Sequence, residues 1–341
     1  MRFPLRLQDI PPAQARFCLG IERFLRDELK AETDGAAILV AFSGGVDSTV
    51  LLATLALLRD RLRCEVLAAH LDHGLRQESS AEARHALALC EAAHIHCETT
   101  RIDVAALAAT RGIGLEEAAR DARYDFLEQT RQRNGASLIA LGHNLDDLAE
   151  DVLMRLTRGA GWPELGGMRG IDSARHLVRP LLLTTRADIE TCARALGLPW
   201  VEDASNADTT FTRNRMRHEV LPLLARENPN ILRAVAAQWR VASLDRDYWD
   251  GEVQRLLECG VPHSGGLLLP REILDDLHQT VRLRLYKATL ERLGPGQALA
   301  DSLHTLDRLF RSGEGGRTVQ FPGAKTVTTS AAGLLFRPRE C

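Results

Sequence analysis

The residues best suited to chemistry in this chain are Ser43, Gly44, Gly45, Val46, Asp47 and Ser48, which stand between two apolar runs in "ILVAFSGGVDSTVLL". Adjacent glycines leave backbone N–H groups unshielded by any Cβ, so an anion can approach them closely. If the second apolar run is a helix, its first N–H groups are unpaired and its dipole favours negative charge there. Ser43 and Ser48 add hydroxyl donors. The stretch therefore predicts a phosphate cradle. Asp47 alone would repel a phosphate, so its presence predicts a cation, Mg2+, between the two. The lysine of a Walker A loop is missing, which excludes the common P-loop.

Three further stretches carry charge in patterns that suit a site. In "GHNLDDLAED", His143, Asp147, Glu150 and Asp151 are spaced to share one side of a helix. Such carboxylates suit Mg2+ or an ammonium group. An acidic first turn that complements the helix dipole accounts for them equally well. "FTRNRMR" holds Arg213, Arg215 and Arg217 around Asn214, fit for bidentate phosphate contacts or for a solvated basic helix start. "GLEEAARDARYDFL" offers Arg120 and Arg123. Glu116, four residues before Arg120, favours a surface ion pair there. His70 and His73 in "HLDHGLR" are three apart, but no cysteine or carboxylate set completes a zinc site. That segment is expected to be a loop shaping a nucleotide pocket.

The elements that position these residues alternate. "AILVAF", "CEVLAAHLDH", "IHCETTRID" and "ASLIALGH" have strand character. "DSTVLLATLALLRD", "SSAEARHALALCEAAH", "GLEEAARDARYDFLEQTRQR" and "LDDLAEDVLMRLT" have helical spacing, as does "QARFCLGIERFLRDEL" ahead of them. This predicts an α/β fold with a doubly wound, mostly parallel sheet. Ligands in such sheets bind beyond the carboxyl ends of the strands, where "SGGVDS" and "GHNLDD" both fall. After Pro163 the pattern weakens. "RENPNI" predicts a linker between a first domain, 1–225, and a smaller, mainly helical domain, 231–341, that ends in short strands.

Composition narrows the class. The 341 residues are 45% hydrophobic and 26% charged, as in an ordinary globular protein. A net charge of −3 confines any nucleic-acid surface to local patches. No apolar run is long enough for a membrane span, and the N-terminus has no signal-peptide core. The seven cysteines contain no Cys-x-x-Cys and predict reduced thiols in the cytoplasm.

"SGGVDS" resembles the PP-loop of the ATP pyrophosphatases, which split ATP into AMP and pyrophosphate to activate a carbonyl or carboxyl oxygen. "HLDHGLR", "GLEEAARDARYDFL", "GHNLDDLAED", "RLTRGAG", "RPLL" and "EDASNADTTFTRNRMRHEVLPLL" follow it in order and are similar to the tRNA(Ile)-lysidine synthetases. "GRTVQFPGAKTV" extends the resemblance weakly into the second domain. The resemblance implies ATP and Mg2+, free L-lysine, and an isoleucine tRNA with a CAU anticodon. The wobble cytidine would be adenylated at its C2 carbonyl oxygen, and the lysine ε-amine would then displace AMP. The family places the residues matching His143, Asp147 and Glu150 around the reacting groups and the lysine. His143 or a carboxylate is then available to accept the amine's proton. The resemblance also makes Arg215 a catalytic-site arginine and Arg123 a contact for nucleotide or RNA phosphate; Arg213 and Arg217, by residue type, are expected to contact phosphate or tRNA. Asp151 departs from the family, which commonly has threonine there.

Two other functions fit parts of the sequence. A tRNA thiolase would share the loop but needs reactive or cluster-binding cysteines. A non-catalytic nucleotide-binding regulator would not need the full set of carboxylates and arginines. Asp47→Ala is expected to abolish ATP-dependent turnover with the fold intact. Wild-type-like pyrophosphate release from that variant would refute the loop's role.

Overall fold

A computed structural model describes residues 3–4, 6–72, 74, 79–201 and 212–338. The chain divides into two compact units, Met1–Ala242 and Ser243–Cys341. The first begins with α1 (Pro12–Arg23), extended by a π-helical turn over Phe24–Glu28. Then β1 (Ala37–Ala41), α2 (Val46–Leu62), β2 (Glu65–Asp72), α3 (Ser79–Ala92) and β3 (Cys97–Arg101) alternate. They are followed by α4 (Val104–Arg111), α5 (Leu115–Arg133), β4 (Leu138–Ala140) and α6 (Leu145–Thr157). Two-residue strands β5 (Ile171–Asp172) and β6 (Leu177–Val178) precede α7 (Arg186–Ala195), α8 (Thr212–Arg215) and α9 (Leu221–Glu227).

The six strands are ordered β3-β2-β1-β4-β6-β5, and only the β5–β6 pair is antiparallel. Strand β1 is the hinge of this order. It pairs in parallel with β2 on one side and with β4 on the other. Chain direction across the sheet therefore reverses between β1 and β4, and a crevice opens beyond their carboxyl ends. The loops that leave those ends carry Ser43–Gly45 and Gly142–Asn144.

Both faces of the sheet are buried, which is why β1 reads as an unbroken apolar run. Ile38 and Val40 pack with Val50, Leu51, Leu55 and Leu58 of α2 and with Ile189 of α7. Leu39 and Ile139 pack on the other face with Phe126 and Leu127 of α5. Helix α4 was not anticipated. It is only eight residues long, and it is capped by Asp103, whose Oδ1 accepts from Ala106 N at 3.0 Å.

The predicted linker is a helix break: residues 228–230 separate α9 from α10 (Ile231–Glu258). The boundary between the compact units falls farther along the chain, within α10. In the second unit β7 (Val261–His263), β8 (Gly266–Pro270), β9 (Thr318–Phe321), β10 (Lys325–Ser330) and β11 (Gly333–Pro338) form one antiparallel sheet. Its order is β7-β8-β11-β10-β9. Helices α11 (Arg271–Asp275), α12 (Gln279–Arg292) and α13 (Ala300–Arg311) accompany it. The sequence indicated strands in the tail, while the β7–β8 hairpin emerged only with the structure. No helix among the described residues is long and apolar enough to cross a membrane.

Lys325, from "FPGAKTV", is 1% exposed. Its ammonium donates to the carbonyls of Leu290, Gly294 and Gly296 at 2.9, 3.0 and 3.1 Å. A cation is favourable at these carbonyls, which lie at and beyond the C-terminal end of α12. Lys325→Met should leave those buried acceptors unpaired and lower stability by on the order of 3 kcal/mol, measurable by denaturant unfolding.

Candidate active site

The two loops of the crevice touch through their backbones. A Cβ added at Gly142 would lie 3.1 Å from Ser48 N and 3.3 Å from Asp47 C. Glycine is what allows this approach. On the β1 side Gly44 has φ +84°, a left-handed conformation that glycine adopts without strain. Gly45 is the N-cap of α2 and supplies no side chain, so the first N–H groups of that helix receive no side-chain cap. Val46 and Ser48 are buried in the first turn. Ser48 Oγ accepts from Ser43 N at 3.2 Å and donates to Gly45 O at 3.0 Å. The Ser43 and Ser48 hydroxyls are 3.1 Å apart. Ser48 thus shapes the loop from within.

Asp47 points toward the second loop. Its Oδ1 accepts from Asn144 Nδ2 at 3.0 Å and its Oδ2 from Arg186 Nη1 at 2.5 Å. Burial pushes the Asp47 carboxyl above the usual range, against the opposing pull of Arg186 and Asn144. Asn144 also closes a capping box on α6. Its Oδ1 accepts from Asp147 N, and Asp147 Oδ2 accepts from Asn144 N, both at 3.0 Å.

Asp147 and Glu150 lie three residues apart on α6 and face the same two arginines. Arg213 donates to Glu150 Oε2 at 2.7 Å and to Asp147 Oδ1 at 2.9 Å. Arg217 donates to Glu150 Oε1 at 2.6 Å and to Asp147 Oδ1 at 3.1 Å. The Glu150 side chain is 0% exposed. Burial works against charge on both arginines, but the two carboxylates more than offset it and hold their pKa values above the ordinary one. Arg217, expected to meet RNA phosphate, is therefore engaged at the carboxylate cluster. Between the two, Arg215 donates to Thr212 Oγ1 at 3.0 Å.

His143 precedes the N-cap of α6, so it does not share a helix side with the carboxylates as the spacing suggested. Its Nδ1 accepts from Arg179 Nε at 3.2 Å, which leaves the ring hydrogen on Nε2. Burial, aided by the charges of Arg179, Arg213 and Arg123 and opposed by Asp147, lowers its pKa to about 4. The ring is neutral at pH 7. Asp151 turns to Arg155, 2.7 Å away on the next turn of α6. Arg120 forms no ion pair with Glu116; its guanidinium lies over Tyr124 instead. His70 Nδ1 is 2.9 Å from Phe42 O, to which it donates, and so braces the strand end before the loop. His73 and the first residues of the "EDASNADTTFTRNRMR" segment, 202–211, lie outside the described residues. Among the described residues no group of three or more His, Cys, Asp or Glu is placed to hold a metal ion.

Asn144, Arg179 and Arg186 were missed as site residues. Asn144 carried a signal, because Asn three residues before Asp at a helix start is a capping pattern. Arg186 carried one too. A cation in the first turn of a helix opposes the dipole, and here two carboxylates account for it: Arg186 Nη1 donates to Asp47 and its Nε to Glu190 Oε1 at 3.0 Å.

Residues 20–224 match the PP-loop domain. A strand–loop–helix phosphate cradle at the switch point of a mostly parallel sheet places the chain among the PP-loop proteins. The chain is 46% identical over 315 residues to a tRNA(Ile)-lysidine synthase of Nitratidesulfovibrio vulgaris, covering 87% of this chain and 91% of that one. It is 40% identical over 228 residues to a tRNA(Ile)-lysidine synthase of Thermotoga sp., covering 67% and 55%. It spans about half the length of that second relative. The chain belongs to the tRNA(Ile)-lysidine synthase family. Among solved structures, a U34-tRNA thiolase of Methanococcus maripaludis, solved with its 4Fe-4S cluster, has a TM-score of 0.56 and 17% identity, covering 67% of this chain and 80% of that one. That likeness is one of fold alone.

Asn144→Ala should cost about 1 kcal/mol of helix capping and also release Asp47. A modest fall in melting temperature with a larger loss of ATP affinity is expected; an unchanged ATP affinity would show that Asn144 serves only the helix. A second expectation concerns acid. His143 protonates at about 4 when folded and near 6.5 when unfolded, so the unfolded chain takes up its proton first. His143 therefore lowers stability progressively as pH falls from 6.5 toward 4, and contributes no pH dependence above that window. His143→Gln should flatten that part of a stability–pH curve.

Proposed function

We propose that this chain is a tRNA(Ile)-lysidine synthase, a ligase that makes lysidine at the wobble cytidine of an isoleucine tRNA with a CAU anticodon. The observation that carries the reading is the Asp147–Glu150–Arg213–Arg217 cluster standing beside Asp47 at one crevice, in a chain of this family.

The chemistry follows from the groups. Oxygen is a poor leaving group from cytosine C2. Attack by that oxygen on the α-phosphorus of ATP forms an O–P bond and releases pyrophosphate. The lysine ε-nitrogen then attacks C2, and AMP departs with the oxygen. The Ser43–Ser48 loop cradles the phosphates, with the uncapped N–H groups in the first turn of α2 facing them. Mg2+ suits Asp47, since Mg2+ is commonly held by one or two carboxylates plus substrate phosphates; it would screen charge there. Arg186 has to turn aside for that.

Lysine carries a carboxylate and two amines, and the cluster offers partners for both signs of charge. Its carboxylate pairs with Arg213 and Arg217 while an amine pairs with Asp147 and Glu150, so ion pairs are exchanged and their number is kept. The free ε-amine has a pKa of about 10.4 and must lose a proton before attack. His143 has its Nδ1 lone pair occupied by Arg179 and a depressed pKa, which favours a carboxylate as acceptor. His143 Nε2–H donates to charge developing on oxygen. Arg215 and Arg123 contribute positive charge toward the tRNA. The catalytic residues lie in 1–225, and 231–341 assists tRNA binding. The substrates place the reaction in the cytoplasm.

Labelled lysine should enter only the CAU isoleucine tRNA from a panel of purified tRNAs, with one pyrophosphate released per lysine. Sulfur incorporation instead would make the chain a thiolase, and nucleotide binding without turnover a regulator. Glu150→Gln should raise the KM for lysine roughly 10- to 150-fold, the worth of one charged hydrogen bond, and spare that for ATP. A raised ATP KM with unchanged lysine KM would move the cluster to the nucleotide.

A further inference from the structure

Helix α5 starts near the carboxyl edge of the sheet and carries Arg120 on one turn and Arg123 and Tyr124 on the next. Across from it, Arg175 precedes β6 and Arg179 follows it. The guanidinium carbons of Arg120 and Arg175 lie 5.7 and 5.8 Å from the centroid of the Tyr124 ring. Both arginines are exposed. Neither makes an ion pair among the described residues. Of the acidic residues on α5, Glu116 and Glu117 in the first turn make no ion pair with Arg120, while Asp121 and Asp125 face Arg111 at 3.5 and 3.8 Å. Asp172 accepts from the backbone of Arg175 at 3.3 Å. Arg179 leads from this group to the active site through His143 Nδ1, and Arg123 lies close enough to depress the same ring's pKa.

Gathering two cations around one ring without carboxylate partners costs free energy in the free protein. A bound polyanion offsets that cost. The aromatic ring holds two guanidiniums in place, and guanidinium planes suit both phosphates and unstacked bases. The chain as a whole is slightly acidic, so an RNA strand has to be met by a local patch of this kind.

We propose that Arg120, Tyr124 and Arg175 form a clamp for the RNA backbone beside the target nucleotide, guiding the anticodon strand toward His143. This rests on the proposed function for the identity of the RNA, and it names where the strand lies. Tyr124 is a positioning residue that holds both arginines, and the arginines touch the phosphates.

The test measures tRNA affinity of the full chain against salt, for wild type, Arg120→Ala, Arg175→Ala, the double variant and Tyr124→Leu, with ATP binding and melting temperature in parallel. Removing one arginine–phosphate pair should flatten the slope of log K against log salt by about 0.7–0.9. Between 50 and 200 mM salt the double variant should therefore lose roughly tenfold less affinity than wild type does. Tyr124→Leu should weaken tRNA binding and Tyr124→Phe restore it, because the ring rather than the hydroxyl holds the cations. ATP affinity should stay at the wild-type value in all of them. Wild-type affinity and slope in the double variant would overturn the clamp. So would a raised KM for ATP or lysine with the tRNA slope unchanged, which would assign the patch to a small substrate. Failure of the wild type to incorporate lysine, with the slopes as expected, would instead strike the proposed function and leave the clamp standing.

Discussion

One side chain ties the two halves of the crevice together. Asn144 caps α6 with its carbonyl oxygen and holds Asp47 of the phosphate loop with its amide. The loops after β1 and β4 can be joined this way only because Gly142 lets one backbone lie against the other. The register of α6 is then fixed relative to the phosphate cradle. Asp147 and Glu150 take their places from that register, and Arg213 and Arg217 take theirs from the two carboxylates. Asn144 orders the site without any need to touch substrate.

The site is built from compensated charge. Asp47 is matched by Arg186, and Asp147 with Glu150 by Arg213 with Arg217. Carboxylates gathered this closely repel one another unless cations stand among them. Such a cluster permits partner exchange. A substrate that carries both signs of charge can replace internal pairs one for one, so binding does not require the protein to uncover bare charge. Arg179 behaves differently. Its hydrogen bond to His143 fixes a tautomer, with the ring hydrogen on Nε2, which makes the histidine a donor there. The two exposed arginines around Tyr124 are different again, since their charge faces outward without acidic partners among the described residues.

Much of this was legible from residue order. The buried run Ile38–Val40 demanded a central strand, and Gly44-Gly45 before a helical pattern demanded an anion cradle at its end. The alternation of strands and helices made a parallel sheet, and that placed "SGGVDS" and "GHNLDD" at the same edge. Helix α4 escaped notice because eight residues with one cap give little periodicity. The β7–β8 hairpin escaped because "VPHSGGLLLP" has turn residues but a strand of only three residues before them.

What the sequence determined by itself is therefore local: element types, the cradle, and the charged residues that had to meet something. Local periodicity and backbone sterics act over a few residues, and the chain displays them in order. What only the tertiary structure decided is which charge meets which. Arg186 reaches Asp47 across 139 positions and Arg217 reaches Glu150 across 67. Spacing along a helix cannot reveal such pairs, because they exist only once the sheet has brought separate loops to one edge. The same holds for His143. Its identity as a titratable ring is in the sequence, but the depth of its burial and the guanidinium at Nδ1 come from the fold, and those set its protonation state.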